Sequence, residues 1–483
     1  MPAVLTSAAR SSWAGSSSAD PGVGPNPEHV YFTERTMNTE IMDLCTQAVA
    51  AARKAGADGA EAFATRRRTR EVVYEKNDLN LARADEELAI GIRVLAGKSM
   101  AFVSTNEPAA LAEAARQAVA IARISPPDDH NALPEGAAVD PTDGELYDPA
   151  VAQIEPEDLT RLTAAVVDGI ARRDARVAID QVRLSVEEVF EAIASSSGAR
   201  GQSEATYLSG FVMGMVKEGE EVGSFTYDGA AGNVRSAVTD ELWRGVDRFV
   251  EKAVGALRPR KGRSFQGTVL LTPDAVGEIL VGPLLEALGA DAVRKGRSPL
   301  AGRLGDLVAA PAFTLRDPGH RLGCFGGRTF DREGLPIRPL DLIGQGALHT
   351  FLYDSYEARV AGRSSTGHAQ GGATSPPRPG AGMIEVLPGS EPAAVLERDL
   401  GLALLVPRFS GRVEMATGDF SGVVKGGFLL ENGERMPVAE TMIAGNLYEA
   451  LKHIVALSSD RLQLFGSTRF PTIAIEGIVV TAG

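Results

Sequence analysis

Thr268-Val269-Leu270-Leu271-Thr272-Pro273-Asp274 opens the stretch whose reading decides the fold, and the stretch runs on to Asp306. Its first four residues are a short apolar run that predicts a buried strand. Thr272 then offers a hydroxyl cap, Pro273 occupies the first helical position and Asp274 places an acid in the first turn. Val276, Ile279, Leu280, Leu284 and Leu288 recur at three- and four-residue steps, so the helix buries one face, with Pro283 expected to bend it. Arg294-Lys295-Gly296-Arg297-Ser298 ends the helix in a basic turn ahead of Leu304-Gly305-Asp306.

Around this stretch lies a chain of 483 residues with ordinary globular composition, long enough for about three domains. Its 49 basic and 63 acidic side chains leave a formal charge of -14. The densest basic clusters, Arg66-Arg67-Arg68 and Arg258-Pro259-Arg260-Lys261, are too short to track a phosphate backbone, so they predict solvated strand ends or linkers and no nucleic-acid partner. No apolar run reaches the length of a membrane span, and residues 1–36 lack an apolar export core; the expected location is the cytoplasm. Cys45 and Cys324 are far apart and without Cys or His neighbours at ligand spacing, which predicts reduced, structural thiols.

In chain order, residues 1–37 are rich in Ser, Gly, Pro and Ala and predict a disordered arm. Residues 38–124 predict an α+β domain. A helix runs from Asn38 to about Ala55. Strands follow over Ala60–Arg68, Glu71–Asn80, Glu87–Leu95 and Met100–Ser104, with Gly91 as a bend, and a second helix spans Pro108–Ile124. Five prolines mark 125–149 as a linker. In the middle region, 150–260, a helix over Pro156–Arg173 leads to long strands from Ala175 to Asp228, with Gly198 and Gly201 at a hairpin. A helix over Thr239–Leu257 follows, capped by Thr239. Residues 261–483 alternate as short strands and turns, including a type I′ turn at Glu431-Asn432-Gly433-Glu434. The fold class is therefore α+β: a mixed N-terminal domain of helices on antiparallel strands, then a strand-rich C-terminal domain.

Several phrases occur in a fixed order: Leu88-Ala89-Ile90-Gly91-Ile92-Arg93-Val94, the opening helix, the Ser365-Thr366-Gly367-His368 loop, Thr417-Gly418-Asp419-Phe420-Ser421-Gly422, and Ile443-Ala444-Gly445-Asn446-Leu447. Together they resemble the TldD/PmbA family of peptidases over about Ile41 to Gly483. In the family's TldD branch the helix carries His-Glu-x-x-x-His, two zinc ligands and the base that activates water. Ungapped register on Asp291 and Lys295-Gly296 puts Val281, Gly282 and Glu286 at those positions. A valine cannot ligate and a glycine cannot take a proton. The distal zinc-ligand cysteine of that branch is missing too, since Leu462-Gln463-Leu464-Phe465-Gly466-Ser467 holds none. The chain is therefore similar to the TldE (PmbA) branch. That resemblance implies a cytoplasmic heterodimer in which a TldD-like subunit carries the zinc and the base, and no cofactor sits on this chain. The pair would act on unfolded or small peptides, held by strand addition, in proteolysis or maturation of a peptide product. The alternative is a binding or assembly protein, or a specialised amide-hydrolase partner, in a biosynthetic pathway.

Other residues carry competing readings. Ser365, His368 and Asp354 have the residue types of a nucleophilic set, yet without a Gly-x-Ser-x-Gly elbow the glycines of this loop point to shape. Thr366, Gly367 and His368 then face a partner or peptide. Asp128, Asp129 and His130 could hold a metal, or could simply be solvated. His349 and His453 read as structural. Glu286 either lines the cavity that holds zinc in the sister subunit or meets solvent, and Asp419 and Ser421 are turn formers or peptide-facing groups.

Overall fold

The computed structural model describes residues 27–136, 139, 146–319, 324–439 and 441–483. A first helix, α1 (Pro27–Lys54), starts well before the expected Asn38, inside the stretch expected to be a disordered arm; residues 1–26 of that arm lie outside the described residues. Strand β1 (Gly59–Glu75) is one long strand rather than two. It turns through Lys76 and Asn77, both at positive φ, into β2 (Asp78–Ala96), and β3 (Ser99–Thr105) follows. After α2 (Leu111–Ile124), the short α3 (Pro149–Ala152) and α4 (Pro156–Arg173) come β4 (Val177–Ser195) and β5 (Arg200–Glu218). Next are β6 (Glu221–Val222), β7 (Thr226–Gly232) and α5 (Arg235–Gly255). That last helix starts before Thr239, whose hydroxyl donates back to the Arg235 carbonyl instead of capping.

β1 pairs with β4 from Glu61–Ser195 to Glu75–Gln181, so the stretches expected as separate domains, 38–124 and 150–260, share one 7-stranded sheet. The physical cause is the length of β1. A strand this long has two edges to satisfy, and the β2 hairpin covers only one. Side chains alternate across the sheet. Ala60, Ala62, Ala64, Ile90, Ile92, Phe190 and Ala192 bury against α1 and α2. Further along the same strands, Val72, Val182, Leu184 and Val186 bury with residues of α4 and α5.

The opposite face of the sheet, carrying Glu61, Phe63, Arg93 and Ile193, meets the C-terminal domain at Phe330, Arg332, Glu333 and Ala373. Gly91 is no bend. It stands mid-strand, where a Cβ would come within 2.5 Å of the Ala373 carbonyl, so glycine lets the second domain approach the sheet. Expected as a linker, 125–149 is in part a strap: the Tyr356 hydroxyl donates to Asp128, and Arg359 donates to the carbonyls of His130 and Ala132.

The C-terminal domain is built on a 14-stranded sheet around the strand Thr468–Ala482, which pairs with Phe265–Leu271, Thr441–Asn446 and Ile454–Leu464. Ile443 to Asn446 is thus strand, and the helix after it spans only Leu447–Lys452. The strand expected at 268–271 is present, and its helix follows. Thr272 stands at the cap position, but its hydroxyl donates to the Pro407 carbonyl. The helix is irregular ahead of Pro283: Val276–Val281 is a π turn closed by the Gly282 N–H on the Gly277 carbonyl. Pro283 has no N–H to give and its ring crowds the preceding turn, so the chain widens there.

Candidate functional site

The π turn decides what the helix can present. Val281 is 1% exposed and packs in the main C-terminal core, whereas Gly282 and Glu286 lie on the solvent side of the following turn, Gly282–Ala287. In a regular α-helix residues five apart point about 140° from each other. A pair at that spacing meets one ion only where a widened turn falls between them, and here the widening precedes Val281. The donors at these positions do not fit zinc: one carboxylate faces solvent, a valine fills the core and a glycine has no side chain. Glu286 is solvent-facing in this chain.

Two carboxylates on this helix have built surroundings: Asp274, buried and 3.4 Å from the Lys252 ammonium, and Glu278. Glu278 accepts from the Phe409 N–H at 2.6 Å and the Tyr227 hydroxyl at 3.5 Å, and Arg408 stacks over the Tyr227 ring at 4.0 Å. Burial raises its carboxyl above the usual range, partly offset by the Phe409 N–H and Arg408.

The Ser365, His368 and Asp354 set is not assembled. The Ser365 hydroxyl donates to the Tyr353 carbonyl, and Asp354 caps the helix Ser355–Val360 by accepting from the Glu357 N–H at 2.8 Å. His368 is buried, with Nδ1 on the Thr366 carbonyl at 2.7 Å and Nε2 facing Asp317 at 3.5 Å. Thr366 brackets Tyr353, accepting from its N–H and donating to its carbonyl. Gly367 has φ +72, and a Cβ there would meet the Pro336 carbonyl at 2.7 Å. The loop is therefore packed inward against 331–336, which contradicts an outward, partner-facing role for Gly367 and His368: a buried side chain cannot reach a second chain.

Sequence reasoning passed over the segment this loop packs on, Asp331-Arg332-Glu333. All three side chains are buried. Arg332 donates to Glu61 and to the Gly372 carbonyl and lies 4.4 Å over Phe63; Arg93 bridges Glu61 and Glu333; Glu333 accepts from the Ser355 N–H and hydroxyl. Two guanidiniums and two carboxylates balance across the seam between the domains. Burial opposes the charge on Glu333, but Arg93 and the Ser355 donors win and hold its carboxyl below the usual range. A usable signal existed: Glu61 and Arg93 are lone charges within the apolar stretches 59–65 and 88–96, and they pair directly across β1 and β2.

Beside Glu333, burial pushes Asp354 up to about 7, reinforced by the Glu333 charge. A raised folded-state value means that its contribution to stability is present below about pH 4 and is lost as pH rises through about 7. Asp354→Asn keeps the cap acceptor and removes the titration. Its melting temperature relative to wild type is expected to be higher at about pH 8 than at about pH 5. A difference independent of pH in thermal unfolding scans would contradict this.

Asp419 and Ser421 are strand residues, two apart on the exposed face of Asp419–Lys425, and the turn belongs to Gly418 at φ +85. Asp419 accepts from the Asn446 side chain at 3.0 Å, which in turn caps the helix Leu447–Lys452. His453 closes that helix through Nδ1 on the Glu449 carbonyl, and His130 and His349 are exposed. Cys45 and Cys324 are both buried.

Profiles of two domains match the chain: PmbA/TldA metallopeptidase domain 1 over residues 60–122 and the PmbA/TldA metallopeptidase C-terminal domain over residues 264–482. A relative described as a metalloprotease PmbA homolog, from Haemophilus influenzae, is 28% identical over 435 residues, covering 88% of this chain and 93% of that one. Metalloprotease PmbA from Escherichia coli O157:H7 is 27% identical over 436 residues, covering 87% and 92%. Among solved structures, TldE from Thermococcus kodakarensis superposes with a TM-score of 0.83 at 22% identity, over 91% of this chain and 100% of that one. The class is thus an α+β protein with the TldE/PmbA-like fold. The chain belongs to the PmbA/TldD metallopeptidase family.

Proposed function

We propose that this chain is the non-catalytic, TldE-like subunit of a two-subunit zinc metallopeptidase. The observation that carries this reading is the helix over 273–287. It offers a core valine, a glycine and a solvent-facing glutamate at the positions that the sequence register assigns to ligands and base. A TldD-like partner supplies zinc and base, and this chain braces that subunit and walls the space in which an extended peptide is held. Strand addition suits such a substrate, because main-chain hydrogen bonds tolerate varied side chains. The pair works in the cytoplasm on unfolded or small peptides, in proteolysis or in maturation of a peptide product. Glu286 and the exposed strand face with Asp419 and Ser421 are the parts of the predicted set that remain open to a peptide or partner.

Co-expression with a TldD-like subunit bearing His-Glu-x-x-x-His tests this. The expected result is a heterodimer by analytical ultracentrifugation, zinc in the complex, and cleavage of unfolded peptide by the pair alone. Stoichiometric zinc and peptide cleavage by this chain in isolation would overturn the reading.

A further inference from the structure

The outer face of the C-terminal sheet is covered at one end only. There the helix Ala393–Asp399 and the residue after it bring Leu396 and Leu400 onto Leu270, Ala403, Leu405, Leu430 and Ala474. Val479 stands opposite Gln266 as Ala474 stands opposite Leu270, so the same face runs on to Val479. At that end Val423 is opposite Met442 and Ala444 is opposite Val479, and nothing covers them among the described residues. Met442 is 42% and Val479 43% exposed. An antiparallel sheet with one face on the core turns polar residues outward on the other. Here the outward positions are valine, methionine and alanine, the pattern of a face that another protein surface covers.

The two ends of this open face carry opposite charges. Along the strand Asp419–Lys425, Asp419, Ser421, Val423 and Lys425 share the outer side. The Asp419 carboxylate accepts from the neutral Asn446 side chain and has no cation paired to it among the described residues. The Lys425 ammonium has neither an ion pair nor a hydrogen bond among them. Cations on the adjoining strand are engaged elsewhere. Arg412 is held by Glu414 at 2.7 Å, and Arg408, opposite Lys425, turns onto the Tyr227 ring and Glu278.

A two-fold axis through Gly422, running across the strands, lays Asp419–Lys425 antiparallel over its own copy. Asp419 then faces Lys425 of the second copy, Ser421 faces Val423, and on the next strand Met442 falls on Ala444, large against small. Each contact occurs twice. Sheets packed face to face lie about 10 Å apart with their strands within about 30° of one another, a gap that lysine and aspartate side chains span together. We infer that, in the isolated chain, this face is covered by a second copy of the same chain, in a two-fold dimer centred on Gly422. The dimer goes beyond the subunit role proposed above and does not rest on it. The open patch measures about 15 Å by 20 Å, small for an interface, so association belongs in the micromolar range. While the copies are joined, the face is closed to a peptide or another partner.

Sedimentation equilibrium of the purified full chain, at concentrations on the order of 1–100 μM, tests this, and a reversible monomer–dimer equilibrium is expected. Met442→Glu, at an exposed position, should weaken the dimer about tenfold or more. Asp419→Lys and Lys425→Asp each place like charges together at both ends of the interface, and each should also weaken it about tenfold. Combined, the two reversals restore opposite signs and should return the affinity to within about threefold of wild type, a rescue that a variant failing merely to fold would not show. A chain that stays monomeric throughout, a dimer indifferent to Met442→Glu, or a double variant no tighter than the single ones would overturn the inference. A monomeric chain whose pairing with a TldD-like subunit is lost in Met442→Glu would overturn it too, and would assign the face to that subunit. Failure to pair with such a subunit, by itself, bears only on the proposed function.

Discussion

Glu333→Ala is expected to cost about 3–5 kcal/mol of stability, because it leaves a buried charge without its partner. Glu61 and Glu333 balance Arg93 and Arg332 at the seam between the two sheets, and all four side chains are almost wholly excluded from solvent. Without Glu333 the two guanidiniums share Glu61, and the Ser355 N–H and hydroxyl lose their acceptor. Glu333→Gln keeps an acceptor for Ser355 and should lose less. Replacing Arg93 and Glu333 together by methionine should recover much of the difference, since a buried pair exchanged for apolar side chains often leaves stability nearly unchanged. Chemical denaturation midpoints decide the matter. A single alanine variant within about 1 kcal/mol of wild type would mean that water reaches the seam and the charges are solvated.

The triple variant Val281→His, Gly282→Glu, Glu286→His restores the residue types of a zinc helix, and it is expected to bind no stoichiometric zinc. Val281 points into the core and Glu286 into solvent, so two imidazoles placed there diverge. The histidine at 281 also forces a larger, polar ring into a packed interior, at about 1–3 kcal/mol for the overpacking alone. A glutamate at 282 meets a further obstacle, since a Cβ there would sit 3.0 Å from the Gly277 carbonyl that the π turn brings close. Metal analysis after dialysis, together with thermal unfolding, measures both effects. One tightly held zinc per chain at undiminished stability would show that the helix re-registers easily and that residue identity alone separates this chain from its zinc-binding relatives.

Much of the molecule was legible before any coordinates. The strand and helix at 268–288, the α+β class, the Asn432-Gly433 turn and the strand-rich C-terminal half follow from local chemistry: apolar periodicity, proline at a helix start, and residues that tolerate positive φ. The unsuitability of Val281, Gly282 and Glu286 as a ligand set was also readable, because ligation needs donor atoms whatever the fold.

Three things were decided only by the tertiary structure. The first is the joining of 38–124 and 150–260 in one sheet, since the edge to which a strand pairs is set by a partner about a hundred residues away. The second is the inward packing of the His368 loop, which its glycines and hydroxyls had suggested as a contact surface. The third is the burial of Glu61, Arg93, Arg332 and Glu333. Alternation along a strand states which face a side chain occupies but not what covers that face. A charge bound for water and a charge bound for a buried partner are written with the same letter, and the energy that separates them arises only when the second domain displaces the solvent.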